Sequence, residues 1–341
     1  MCDYLVAYYP FDGNTDDYSG FSHHGTMVGG SFDPAGIRGS ALTLDGAGDH
    51  VRVPRSSLLD LPEEFTIATW IRPAVGYGTP DYGHVSLISR WGDNGTGRAS
   101  FMTGFFRDGR GAFFTYESWS PHVESQLLTP DPIPVETWSH MVGVRRGSTL
   151  ELHLDGQLMS VFPNSAAPQP SIYDLFIGLE PLGNSPYHGL LDEVRIYDRA
   201  LSPDEIAALA ATVPALRCEG FFPPLASGPV KVRKNRVLPL RAELFDCAGL
   251  PMTSAFLISP PVLEVVFSPE SAGNSVDVTD DAFPAGLGTE GNQFVFTEDA
   301  VWGYNLKTRG FTAPGTYTIR MRSGNDQDYT IDTCEGWFVV E

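Results

Sequence analysis

Short strand-like segments follow one another along almost the whole of this 341-residue sequence. Several alternate apolar and polar residues with the period of two that a half-buried strand requires. Turn residues separate them, as at Asp45-Gly46, Asp108-Gly109 and Asp155-Gly156. Only one short helix is indicated. A chain of this kind buries its apolar residues between sheets, so we predict an all-β protein.

The clearest local signals are one hairpin and one helix start. Thr149–Leu154 and 157–161 flank Asp155-Gly156, which favours a two-residue turn of type I′. Ser202 is followed by Pro203 and two acids, the pattern of an N-cap, a first-turn proline and favourable helix-dipole charges.

A proline at position 214 ends the helical pattern. We place a domain boundary there, which divides the chain into residues 1–212 and 213–341. Each part has the length of an ordinary domain.

Charge and hydropathy exclude several classes of partner. Lys and Arg number 22 against 42 Asp and Glu, giving a net charge of −20. Nucleic-acid binding needs clustered cations, so we predict no nucleic-acid partner. The sequence contains no run of 18 apolar residues, so no membrane span is predicted.

No signal peptide is visible in Met1-Cys2-Asp3-Tyr4, and we interpret the start as a mature form with an added Met.

Two motifs bracket the first part of the chain. One runs Leu5-Val6-Ala7-Tyr8-Tyr9-Pro10-Phe11-Asp12-Gly13-Asn14, and the other runs Gly189-Leu190-Leu191-Asp192-Glu193-Val194-Arg195-Ile196-Tyr197. Together they resemble the opening and closing strands of a laminin-G-like (concanavalin A-like) jelly roll. The resemblance implies two packed antiparallel sheets and a fold that usually binds carbohydrate without cutting it.

The second part contains seven or eight short strand signals, a number typical of an immunoglobulin-like β-sandwich. Trp302-Gly303-Tyr304-Asn305-Leu306 and Ala313-Pro314-Gly315-Thr316-Tyr317 resemble the bacterial PxKF-type domain. The namesake motif of that family appears here as Pro229-Val230-Lys231-Val232, without its phenylalanine. This resemblance implies a spacer or attachment domain of a secreted or surface protein.

A structural calcium ion follows from the first resemblance. In laminin-G-like domains such an ion commonly sits between the N-terminal turn and the C-terminal strand, and calcium prefers oxygen ligands. The resemblance implies Asp12, Asn14, Asp17 and Asp192 as ligands, with nearby main-chain carbonyls. The other interpretation is that these are ordinary turn residues.

Two segments combine aromatic and planar polar side chains, as sugar binding requires. We predict that both are connections between strands and that they form a glycan site. The predicted ligand-binding residues are Tyr77, Tyr82, Arg90, Trp91, Asp93, Asn94, Tyr116 and Trp119. The alternative is that Trp91 and Trp119 cover edges of the core.

Catalytic motifs are missing from the sequence. Retaining glycosidases of this fold use a Glu-x-Asp-x-x-Glu strand, and the sequence contains none. It also lacks a Gly-x-Ser-x-Gly nucleophile elbow. We therefore predict a protein that is not an enzyme, and a polysaccharide-degrading enzyme is the least favoured alternative.

Four cysteines are present, at positions 2, 218, 247 and 334. None lies in a CxxC pair, so a zinc site is not indicated. Two of the last three can form one disulfide. The loop-closure entropy gives similar stabilisation for Cys218–Cys247 and Cys247–Cys334, so the pairing stays open.

These expectations combine into one functional hypothesis. The chain is predicted to be an extracellular or cell-surface, calcium-stabilised protein that binds a glycan or another extracellular surface ligand. The structural alternative is a self-associating subunit of an extracellular appendage or surface layer.

Overall fold

A computed structural model describes residues 4–61, 64–78, 83–91, 100–119, 122–163, 170–182, 185–211, 215–232, 236–245, 251–254, 257, 259–269, 274–286, 291–325, 329–332 and 334–340. At residues 78, 116–119, 122–124, 215 and 227 it describes the backbone alone. The chain divides into two compact units, Met1–Thr212 and Val213–Glu341. No helix in the described ranges has the length and hydrophobicity to cross a bilayer.

Almost all the regular secondary structure described in unit 1 (Met1–Thr212) is β-strand. Its described strands are β1 (Leu5–Tyr9), β2 (Thr26–Val28), β3 (Ser31–Asp33), β4 (Ala41–Asp45), β5 (His50–Val53), β6 (Phe65–Gly78), β7 (His84–Ser89), β8 (Phe101–Phe106), β9 (Arg110–Trp119), β10 (His122–Pro132), β11 (Ser139–Arg146), β12 (Thr149–Leu154), β13 (Gln157–Phe162), β14 (Leu175–Ile177) and β15 (Tyr187–Tyr197). One 3₁₀ turn (Ser57–Leu59) and one helix, α1 (Pro203–Leu209), complete it.

These strands form two antiparallel sheets. Sheet A has the order β13-β12-β11-β6-β15-β4-β3, with β1 also paired to β15. Sheet B has the order β10-β9-β8-β7-β14-β5-β2. Leu42 and Ile71 from sheet A share one apolar core with Val51 and Phe101 from sheet B. The all-β prediction is confirmed, and unit 1 is the predicted pair of packed sheets.

The two motifs at the ends of unit 1 meet in space. Strand β1 pairs with β15 in the register Tyr9↔Val194. On its other side β15 pairs with β6, with a register shift between Asp192 and Arg195. The expectation that the chain ends close one sheet pair is therefore confirmed.

Both local predictions hold. Asp155 and Gly156 have positive φ of 49° and 79°, as a type I′ turn requires, and they join β12 to β13. Ser202 caps α1 through the backbone N–H of Glu205, and the Glu205 side chain accepts from the Ser202 N–H, which completes a capping box. The helix ends at Leu209, before the predicted proline stop.

Unit 2 (Val213–Glu341) is also all-β. Its described strands are β16 (Ala215–Cys218), β17 (Val230–Lys231), β18 (Val237–Ala242), β19 (Leu244–Phe245), β20 (Val262–Pro269), β21 (Val276–Asp277), β22 (Phe283–Pro284), β23 (Val295–Phe296), β24 (Trp302–Lys307), β25 (Gly315–Arg322), β26 (Thr330–Asp332) and β27 (Glu335–Val340). They form sheets β19-β16-β26, β17-β27-β25-β20-β21 and β18-β24-β22, with β23 also paired to β24.

A disulfide joins Cys218 and Cys334 across 116 residues of sequence. The expectation that two of the last three cysteines form one disulfide is confirmed, and the pair is one for which no loop length had been considered. Ala215–Cys218 and Thr330–Asp332 are adjacent parallel strands, which brings the two cysteines together. Cys2 and Cys247 lie outside the described residues.

Candidate functional site

On one of its two sides, strand β15 pairs with two different strands, and the partner changes in the middle of β15. Residues up to Leu191 pair with β4, and residues from Val194 pair with β1. Asp192 and Glu193, which we call the acidic bulge, lie between the two partners, and Glu193 has a positive φ of 55°. Bulges of this kind redirect side chains out of the regular alternation.

Asp192 has one satisfied and one unsatisfied oxygen. Its side chain is fully buried, with a relative exposure of 0%. Oδ2 accepts from the backbone N–H groups of Ile37 and Arg38, at 2.8 and 3.1 Å. Oδ1 has no hydrogen-bond partner among the described residues. Burial, followed by the nearby charge of Glu193, raises the pKa of Asp192 well above its usual value.

Glu193 is fully partnered by comparison. It accepts hydrogen bonds from the Tyr8 hydroxyl at 2.8 Å, from Arg38 Nη1 at 3.0 Å and from Arg195 Nη2. Burial alone would raise its pKa, but the two guanidinium groups outweigh burial and lower it. Glu193 is therefore ionised and holds a buried charge network together.

Asp12 lies on the other side of the loop at residues 36–40. Its Oδ1 accepts from the Ser40 N–H at 2.7 Å. Burial is the main cause that raises the Asp12 pKa to about 6, and the charge of Glu193 adds to it. A Cβ on Gly39 would lie 1.9 Å from Asp12 Oδ1, and one on Gly36 would lie 2.9 Å from Asp192 Oδ2. The glycines therefore let this loop fit closely against both carboxyl groups.

The other two predicted calcium ligands are engaged in turn structure. Asp17 accepts four hydrogen bonds, from the N–H groups of Tyr8, Ser19 and His23 and from the Ser19 hydroxyl, at 2.8–2.9 Å. Asn14 accepts from the Asp16 N–H at 2.9 Å and donates to the Tyr18 hydroxyl. These contacts support the turn interpretation for Asp17 and Asn14.

The Asp12–Asp192 pair has the chemistry that a hard cation needs. One buried carboxyl group, Asp192, and one partly buried carboxyl group, Asp12, flank one loop; both have raised pKa values, and Asp192 Oδ1 is unpartnered among the described residues. A cation would favour ionisation of both and supply the missing partner of Oδ1. In the described part of the chain no group of three or more His, Cys, Asp or Glu could hold a metal, so further ligands would be main-chain or water oxygens.

Arg90 and Trp91, two of the predicted glycan residues, are structural. The Arg90 guanidinium is buried and donates to Leu59 O, to Asp60 Oδ1 at 2.9 Å and to the carbonyls of Ser171 and Tyr173. Trp91 is 9% exposed. The prediction that Arg90 presents its side chain to a sugar is wrong, because distant segments of the chain bind its guanidinium. Trp91 packs beside Met102 and Phe114.

The remaining glycan predictions have mixed placements. Tyr77 is half-buried in β6, with its ring 5.3 Å from that of Phe105. Tyr116 and Trp119 lie in β9, paired with β10, so this segment is a hairpin end and not a long connection; their side chains lie outside the described residues. Tyr82, Asp93 and Asn94 also lie outside the described residues.

A second apolar cluster lies on the face of sheet B that points away from the main core. Phe113 belongs to the main core, so its neighbours Ala112 and Phe114 point to the other face. We call this group the outer cluster; it consists of Trp91, Met102, Ala112 and Phe114, with Phe106 and Leu128 packed against it. Sequence reasoning missed it, although the unbroken run Ala112-Phe113-Phe114 is a signal of a strand buried on both faces.

Comparison with known proteins agrees with this architecture. Residues 45–207 match the Laminin_G_3 family model, the concanavalin A-like lectin/glucanases superfamily. The match lies within unit 1, whose two packed antiparallel sheets agree with a concanavalin A-like fold. It does not extend to unit 2, where the immunoglobulin-like assignment stays a prediction. No curated protein sequence matches this chain.

Among solved structures, the binding domain of Paraclostridial Mosquitocidal Protein 1 aligns with a TM-score of 0.50 and 13% identity, covering 89% of this chain and 92% of that one. Domain 4 of AbnA from Geobacillus stearothermophilus, in complex with arabinotriose, aligns at 0.48 and 19%, covering 61% and 98%. The sialyllactose-bound CBM40 of a Ruminococcus gnavus sialidase aligns at 0.41 and 15%, covering 55% and 96%. At these identities the likeness concerns the fold alone.

Proposed function

We propose that unit 1 is a non-catalytic carbohydrate-binding domain whose ligand contacts the outer face of sheet B. The observation that carries this proposal is the outer cluster, an apolar group separate from the core. The concanavalin A-like family match is consistent with a lectin-type role. The mosquitocidal-protein match is itself a binding domain.

Sugar rings offer apolar C–H faces and a rim of hydroxyls. Aromatic side chains on a rigid sheet suit the first, and fixed polar groups suit the second. Phe106 and Leu128, at the margin of the outer cluster, are only partly buried, so this margin gives a ligand apolar surface to cover. Because β8, β9 and β10 are paired to one another, the surface is preorganised.

We further propose that calcium binds between Asp12 and Asp192. The ion would join the first loop to the acidic bulge, and so fix the two ends of unit 1. Its part is structural, because it would neutralise the buried carboxylate of Asp192 and the partly buried one of Asp12 at the point where β15 changes partner. Asp17 and Asn14 would support the same region through their turn hydrogen bonds.

The remaining expectations complete the proposal. The protein acts outside the cell or at its surface, and unit 2 is an immunoglobulin-like spacer or attachment domain. The acidic net charge of −20 is consistent with the absence of a nucleic-acid partner. No described feature favours self-assembly or hydrolysis over binding.

The test is a glycan array probed with the full chain, alone and as Phe106→Ala. We expect binding to a defined set of glycans and a loss of signal in the variant. Phe162→Ala is the matched control, since it removes a partly exposed ring from β13 in the other sheet. Absence of any glycan signal would refute the proposal, and release of reducing sugar from the bound glycans would show an enzyme instead.

A further inference from the structure

A histidine and a glutamate meet beside the outer cluster without forming a good ion pair. His84 Nε2 lies 3.6 Å from Glu180 Oε2, beyond hydrogen-bond distance. Their side chains are only 13% and 5% exposed. His84 Nε2 has no hydrogen-bond partner among the described residues.

Ser86 adds a second unsatisfied polar group on the same face. It lies two residues after His84 in β7, so both side chains point to the outer face of sheet B. Ser86 is fully buried, and its hydroxyl has no hydrogen-bond partner within the described ranges. The His84 ring centroid lies 5.8 Å from that of Phe114, which joins these polar groups to the outer cluster.

The backbone fixes the relative positions of these groups. The segment from Gly178 to Tyr187, which carries Glu180, is held against β7 by two hydrogen bonds. Gly178 N–H donates to Leu87 O at 2.7 Å, and Ser86 N–H donates to Ser185 O at 2.9 Å. These backbone hydrogen bonds therefore position Glu180 beside His84.

Burying these polar groups costs free energy unless another group supplies their missing hydrogen bonds. A buried polar group normally finds a hydrogen-bond partner, and a buried carboxylate needs several. A structural ion pair would repay its desolvation through close, hydrogen-bonded geometry, which 3.6 Å does not provide. Unsatisfied groups beside an apolar surface are instead the expected form of a binding site without its ligand.

We infer that His84, Ser86 and Glu180 form a hydroxyl-binding subsite for an uncharged sugar, whose C–H face packs on the margin of the outer cluster. This inference rests on the proposed glycan-binding function and specifies its ligand class. Glu180 accepts hydrogen bonds from sugar hydroxyls, while Ser86 and His84 can donate or accept. A uronic or sialic acid would place a second carboxylate against Glu180 and is disfavoured.

The experiment is affinity electrophoresis of the full chain in gels containing arabinan, galactan or xyloglucan as neutral probes and polygalacturonate as the acidic probe. We expect retention by a neutral polysaccharide and none by polygalacturonate. Glu180→Gln and Ser86→Ala should each weaken retention, Glu180→Gln by at least about tenfold, because a hydrogen bond to a charged group is lost. Glu136→Gln, which changes an exposed acid in the connection between β10 and β11, should bind like the parent protein.

Thermal melting separates this site from a structural pair. Because Glu180 makes no close ion pair with His84, Glu180→Gln should leave the Tm unchanged or raise it. A lowered Tm with retained binding would overturn the inference, and so would preferential retention by polygalacturonate. If Glu180→Gln fails to fold, undiminished binding by Ser86→Ala is the overturning result. Absence of retention for the parent protein on every probe would refute the proposed function itself, and the inference with it.

Discussion

The two units differ in what they bury. Unit 1 buries nine charged or histidine side chains among its described residues: Asp17, Arg90, His140, Arg145, His153, Glu180, Asp192, Glu193 and Arg195. The buried polar side chains described in unit 2 are Thr308 and Ser323, neither of which carries a charge. Unit 2 has an apolar core and a disulfide instead.

The two units are therefore stabilised by different interactions, buried charge pairs in unit 1 and an apolar core with a disulfide in unit 2. Taking a charge out of water costs several kcal/mol, and only a good partner returns that cost. Unit 1 contains such buried charges at the acidic bulge, where β15 changes partner, and at Glu180 beside the outer cluster. A unit that needs only an apolar core has no such requirement, so we expect function to reside mainly in unit 1.

The sharpest test of the contrast is Arg195→Ala. This substitution removes one of two guanidinium groups that neutralise buried Glu193 and takes a cation from above the Tyr8 ring, 4.3 Å away. Breaking a buried pair costs about 3–5 kcal/mol. Chemical denaturation followed separately for the two units should show unit 1 destabilised by that amount. A loss of under about 1 kcal/mol would mean that the buried network does not stabilise unit 1.

Loss of the disulfide should affect unit 2 in the same way. Cys218→Ser removes a cross-link that closes a loop of 116 residues of sequence separation. Disulfides typically contribute about 2–4 kcal/mol, and the chain-entropy model gives about 4.8 kcal/mol for a loop of this length. Differential scanning calorimetry should show a lower unfolding temperature for unit 2 and an unchanged one for unit 1. Peptide mapping without reductant that joins either cysteine to Cys247 would contradict the assignment.

Calcium should stabilise unit 1 by a similar or slightly smaller amount. At 100 times the Kd the gain is about 2.7 kcal/mol, or a Tm rise of roughly 5–11 °C for a unit of this size. The measurement is the difference between melts with calcium and with EDTA. Asp192→Asn should lose the response, and Asp16→Asn, which alters an exposed acid, should keep it. An unchanged melt in the parent protein would count against the ion.

The calcium effect should also depend on pH in one direction. The pKa of Asp12 in the metal-free folded state is about 6, above its ordinary value of 3.8 in an unfolded chain. Without metal, its contribution to stability is therefore complete below about pH 4 and is lost as the pH rises through 6. Calcium competes with protons for the same carboxylate, so the difference between calcium and EDTA should be largest at pH 7 and shrink below pH 6. His140, whose pKa burial lowers to about 3, titrates in both samples and cancels.

The smallest expected effect is at Arg320 of unit 2. This residue bonds Glu335 at 2.7 Å and Glu264 at 3.4 Å on a partly exposed sheet face. Surface ion pairs contribute at most about 1 kcal/mol, so Arg320→Ala should lower unit 2 stability by less than that. Denaturant titration of both arginine variants compares the two units directly. Equal losses would remove the distinction between them.

Sequence reasoning succeeded where the signal was local. The type I′ turn at Asp155-Gly156 and the cap at Ser202 follow from backbone preferences of neighbouring residues, and both are present. It failed for Arg90 and Trp91, whose position after a strand resembled an exposed loop. The burial of Arg90 depends on the carbonyls of Leu59, Ser171 and Tyr173, which no local pattern reveals.

The sequence by itself determined the all-β class, because alternation and turn chemistry are written in consecutive residues. The pairing of the two ends of unit 1 was implied by the resemblance of the end motifs to a laminin-G-like jelly roll. Only the tertiary structure decided which acids carry unsatisfied oxygens. Asp17 and Asp192 look alike in the chain, yet four donors surround one and a single Oδ1 of the other has no described partner. That difference arises from which distant backbone groups meet each carboxylate, and chain order does not encode it locally.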